Sequence, residues 1–72
     1  MEPILDIDEA LKKIEEHHGP PEEFQLPISD SINDSSGLNM AIITDAILKR
    51  GWFPNGFIQK EGFRIYLYEA FD

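Results

Sequence analysis

The side chains that could bind a metal or move a proton are concentrated at Glu15-Glu16-His17-His18. Adjacent residues on a helix lie ~100° apart, so His17 and His18 do not share the i, i+4 geometry with which helical pairs grip one metal. Glu15 with His18 matches one Glu-x-x-His half of a carboxylate-bridged di-iron site, but such a site needs a second half and two more glutamates on other helices. Both histidines of the chain are already in that one segment. Cations in a last helical turn are favoured by the helix dipole, which is role enough for them. Asp30, Asn33 and Asp34 resemble the start of a calcium loop, yet Ile32 and Ser35 stand where an oxygen ligand and a glycine are required. Ser, His and Asp all occur without a nucleophile elbow, and no clustered glycines precede a helix to cradle phosphate. The paired acids Glu15-Glu16 and Glu22-Glu23 are the types used in acid–base chemistry, but surface glutamates are ordinarily solvated. These residues imply no metal and no cofactor, and an enzyme is not expected.

Recognition chemistry is better represented. Arg64, Tyr66 and Tyr68 alternate along a strand-like run and share one face, and Arg and Tyr are the types that anchor protein interfaces. A covering helix would turn the same tyrosines into core. Trp52 is expected as a lid over the central helix. Charge supplies a second indication: the net charge is -8. Residues 1–34 hold ten acids against Lys12 and Lys13, whereas residues 35–72 hold four acids against four bases. A surface so acidic repels phosphate backbones and attracts a basic partner, with Glu15, Glu16, Glu22 and Glu23 as its contacts.

These residues need elements to hold them. Leu38–Arg50 is apolar around most of a helical circumference: Met40, Ala41, Ile43, Ile47 and Leu48 form one stripe, Ile42 and Ala46 another. A central helix is expected there, capped by Ser35 or Ser36 and covered on both sides, by a sheet and by a second helix or a second subunit. Ile7–His18 reads as a first helix, with Asp6 and Glu9 as a capping pair and Gly19-Pro20-Pro21 as its stop. Phe24, Leu26 and Ile28 alternate in a segment suited to a short edge strand, because Pro27 cannot donate to a ladder. A polar loop, Ser29–Gly37, follows. After Gly51, Pro54-Asn55-Gly56 reads as a tight turn, and Phe57–Gln59 and Phe63–Tyr68 as a hairpin turning at Lys60-Glu61-Gly62. Phe63, Ile65 and Leu67 point one way and Arg64, Tyr66 and Tyr68 the other; either Phe57 or Ile58 joins the apolar side, depending on register.

The expected fold is α+β: two helices packed on a small antiparallel sheet built from a C-terminal β-hairpin, in one domain of order α-(β)-α-β-β. Without cysteine there is no disulfide or thiolate site to reinforce so small a core. The start lacks a basic signal region and no apolar run approaches a membrane span, so a cytoplasmic location is the expectation. The expected role is a non-catalytic protein-binding module, adaptor or inhibitor, engaging a basic protein, without direct nucleic-acid or membrane contact and with homodimerisation through the central helix. The alternative is a nucleic-acid mimic whose carboxylates fill a partner's phosphate groove. A winged-helix-like DNA binder and a small metal-dependent enzyme are opposed by charge and by the thin ligand inventory.

Overall fold

The computed structural model describes residues 2–16, 23–32 and 37–70. His17, His18 and Glu22 fall outside these residues, as do the Asn33-Asp34 pair and the proposed caps Ser35 and Ser36. Helix α1 is Ile7–Glu16. Asp6 starts it as expected: its Oδ1 accepts the Glu9 backbone N–H at 2.8 Å, satisfying a donor that has no partner in the first turn. Ala10 and Ile14 are buried and Ile7 and Leu11 partly so, which leaves Asp8, Glu9, Glu15 and Glu16 on the exposed side.

Strand β1, Glu23–Ser29, lies at one edge of a three-stranded antiparallel sheet of order β1-β3-β2. Its proline is accommodated by register. The Pro27 carbonyl accepts the Ile4 N–H at 2.7 Å on the side away from β3, so the N–H that proline lacks would also have pointed outward and no ladder bond is lost. Ser29 N–H donates in turn to the Ile4 carbonyl at 2.9 Å, and the Ile4 segment thereby covers part of the edge. A short 3-10 turn, Asp30–Ile32, leads away from the sheet.

Helix α2 is Leu38–Lys49. Its N-cap is Gly37, in the left-handed region at φ 72, with no side-chain capping bond. Ile43 and Ile47 are fully buried, with Met40 and Ala46 packed beside them. The remaining apolar residues are not covered: Leu38, Ile42 and Leu48 are 60%, 41% and 45% exposed. Within the single chain the second side of this helix is left open. The sheet and α1 lie against the helix, and Asn39 Nδ2 donates to the Ile32 carbonyl of the 3-10 turn at 3.1 Å; α2 belongs to an outer layer, and a two-layer domain hides one side of such a helix.

β2, Trp52–Lys60, pairs antiparallel with β3, Phe63–Ala70. Pro54-Asn55-Gly56 is not a chain reversal but part of β2, where the register shifts between Pro54 and Phe57. Gly56 takes φ 86 in this bulge, a left-handed backbone that glycine adopts without strain, and Pro54 is tolerated because β2 is an edge. The reversal occurs at Glu61-Gly62, with Gly62 at φ 84. Directly paired residues share a face. Phe24 pairs with Tyr68 and Leu26 with Tyr66; Phe57 also pairs with Tyr66, and Ile58 with Ile65. The inner face is therefore the one bearing Tyr66 and Tyr68, where Phe24, Leu26, Ile28 and Trp52 meet Ile14, Ile43 and Ile47. Phe63, Ile65 and Leu67, joined by Ile58, form the outer face, and none of them belongs to the core.

Candidate functional site

The interface residues expected on β3 divide by burial. Tyr68 is 2% exposed and belongs to the core, tilted against Phe24 at 6.1 Å between ring centroids; it is withdrawn from the contact face, because the helices cover its end of the inner face. Burial pushes its hydroxyl above the ordinary value of 10.0, with a further push from Tyr66, and no group among the described residues bonds to it. Toward the hairpin tip the inner face emerges from the helices. There Arg64 lies over the Phe57 ring at 4.5 Å, donates from Nε to Gln59 Oε1 at 2.7 Å and from Nη1 to the Tyr66 hydroxyl at 3.3 Å. Gln59 donates to the backbone carbonyls of Lys60 and Phe63 across the turn. The result is a fixed guanidinium–aromatic cluster, with Phe57 48% exposed. Phe57 and Gln59 were not among the candidates, because their membership depends on the hairpin register.

The acidic candidates gather elsewhere. Glu15 and Glu16 are exposed at the end of α1. The Glu15 carbonyl accepts from Arg50 Nη2 at 3.2 Å, tying that end to the C-terminus of α2 and so to the start of β2. Glu23, also exposed, opens β1 at the same end of the sheet, where it pairs directly with Glu69, a residue not anticipated as part of the site. Asn55 Nδ2 donates to Glu69 Oε1 at 2.7 Å. Like charges directly opposite on neighbouring strands are destabilising, so this end holds negative charge at a cost. Arg64 and Glu69 are separated by about 17 Å along β3 at ~3.4 Å per residue. The acidic candidates and the Arg64–Tyr66 cluster thus lie at opposite ends of the sheet.

Between them the outer face presents Ile58, Ile65 and Leu67. Beside Leu67 lies a shallow hollow of about 80 Å³, lined chiefly by β1 and β3, Glu23, Gln25 and Glu69 among them, with Asn55 of the β2 bulge at its rim. Among the described residues, no group of three or more His, Cys, Asp or Glu is arranged to hold a metal ion, and no helix is long and apolar enough to cross a membrane. Compared with known proteins, the chain matches no family model, no curated protein and no solved structure.

Proposed function

We propose that the chain is a non-catalytic protein-binding module, an adaptor or inhibitor, whose acidic end receives a basic partner. One observation carries this reading: carboxylates from three separate elements, Glu15 and Glu16 of α1, Glu23 of β1 and Glu69 of β3, come to the same end of the fold, with Glu23 and Glu69 in direct register. Cationic side chains on a partner would relieve that repulsion and be steered toward it.

The test is capture from the native host lysate at low and high salt, followed by kinetics with the retained protein. Changing Glu15, Glu16 and Glu23 together to lysine should lower the association rate severalfold and flatten its salt dependence near ~0.15 M, where the screening length is ~8 Å. Folding should be little affected, because exposed charges contribute little to stability. A partner that DNA displaces would identify the module as a nucleic-acid mimic. An unchanged rate and salt dependence overturns the acidic-end reading.

A further inference from the structure

We propose that the outer face of the sheet is a self-association surface, on which a second copy of this chain stacks with its strands reversed end for end. The resulting dimer has four layers, with two sheets inside and the helices of each protomer outside. This goes beyond the acidic-end reading and does not depend on it.

The occupant follows from how the face is built. Phe63, Ile65, Leu67 and Ile58 stand outside the core cluster that the helices seal, and Ile58 is 46% exposed. Charged residues lie at both ends of this apolar strip, with Glu61 of the turn next to Lys60. Lys60 pairs with Phe63 at the hairpin end, while Glu69 pairs with Glu23 at the far end. Lys60 makes no ion pair among the described residues.

A two-fold axis that brings one face of a sheet against itself must lie in the plane between the copies. If the axis ran along the strands, lysine would meet lysine and glutamate would meet glutamate. If it runs across the strands, the ends exchange and Lys60 of each protomer reaches the partner's Glu69. The same exchange sets the Ile58–Ile65 row over the row of Leu67, so that Ile65 meets the partner's Leu67 beside the hollow and Ile58 lies over the partner's β2 at its bulge. One symmetry operation thus satisfies both charge and shape, which an unrelated partner would match only by coincidence.

This arrangement also keeps the acidic first helices of two chains of net charge -8 apart. Stacked sheets lie ~10 Å apart, and α1, which carries Asp8, Glu9, Glu15 and Glu16, is on the far side of each. The two acidic helices are then separated by well over the ~8 Å screening length. The exposed arc of α2 is the competing surface, but its charges, Asp45 and Lys49, are already paired with each other at 2.9 Å. Three strands ~4.8 Å apart and about eight residues long give a footprint of ~14 by ~26 Å. Over both copies that is about 730 Å², below the ~1,200 Å² at which stable interfaces begin, so association is weak and transient, micromolar at its tightest.

Sedimentation equilibrium on the full chain, from micromolar to millimolar concentration, tests the proposal. A monomer–dimer equilibrium is expected. Ile58→Glu should weaken it at least about tenfold, as should Lys60→Glu and Glu69→Lys singly, while the double variant Lys60→Glu/Glu69→Lys should recover to within about threefold. That recovery cannot come from misfolding, and circular dichroism of each variant checks the fold. Ile42→Glu on α2 should leave the dimer intact. A chain that is monomeric throughout, a dimer lost in Ile42→Glu but kept in Ile58→Glu, or a charge swap that fails to recover each overturns the proposal. Glu69→Lys also alters the acidic end, so the two readings are separated by Ile58→Glu and Lys60→Glu, which leave all four of its carboxylates in place, and by partner association of the Glu15, Glu16 and Glu23 variant.

Discussion

Both faces of the sheet carry apolar side chains, and they meet opposite fates. On the inner face Trp52 stacks on Phe24 at 4.5 Å and 13° between ring planes, and both are sealed by α1 and α2. On the outer face Phe63, Ile65 and Leu67 alternate with Arg64, Tyr66 and Tyr68 along the central strand, yet neither helix packs there. On β3 itself the more purely apolar set is the one left outside, and the set carrying Arg64 and two hydroxyls is the one turned toward the helices. Hydrophobicity alone does not decide which face becomes core; the side from which the helices return does. The inner face can bury its aromatics because large rings supply more area per residue, and because the Tyr66 hydroxyl finds Arg64 at the rim.

The largest effect that would break this comparison is at Trp52, which has 0% exposure. Trp52→Ala should cost about 3–5 kcal/mol in urea unfolding, the loss expected when a large buried ring is removed and the site collapses only in part. For a chain of this size such a loss is a large share of the total stability. A cost under about 1 kcal/mol would mean that the inner face is not the structural one.

A smaller effect sharpens the comparison through the buried hydroxyl. Tyr68 is kept protonated by burial to a pH where the unfolded chain already ionises it near 10.0. The unfolded state therefore gains stability as pH rises past that value, and the folded state loses up to ~1.4 kcal/mol per pH unit from this one group. Tyr68→Phe should abolish that part of the alkaline slope. At neutral pH it should be neutral or stabilising by up to about 1 kcal/mol, because it removes a polar group for which no bond is seen among the described residues. If the slopes of the two proteins coincide above pH 10, Tyr68 is not buried as described.

What was legible in the sequence had local causes. Asp6 and Glu9 announced α1, Gly62 announced the hairpin turn, and Pro27 marked an edge strand, since each expresses a constraint satisfied within a few residues. What was not legible depended on pairing across the chain. Pro54-Asn55-Gly56 satisfies a turn and a bulge equally, because both use a glycine at positive φ; the long pairing with β3 selects the bulge. The apolar girth of α2 shows how much cover the helix could use, whereas the number of elements in a small domain limits how much it receives. The alternation of Arg64, Tyr66 and Tyr68 was readable, but not that the helices stop partway and leave Tyr68 under cover with Arg64 outside it. Glu69 joined the acidic end only through its register with Glu23.

The smallest expected effect is at the centre of the outer face. Ile65 pairs with Pro27 on one side and Ile58 on the other, is half-buried by its neighbours in the sheet, and touches no helix of the core cluster. Ile65→Thr keeps the β-branched shape that suits a strand, so backbone propensity should change little. Its hydroxyl remains within reach of water, so no buried polar group is created, and in dilute solution the loss should stay below about 1 kcal/mol. At concentrations where two outer faces meet, the same substitution sets a hydroxyl against the partner's apolar strip, and its cost should grow with protein concentration. Thermal unfolding across a hundredfold concentration range separates the cases. A loss near that of Trp52→Ala, and independent of concentration, would show that the outer face is closed within the single chain and that the two faces are equivalent after all.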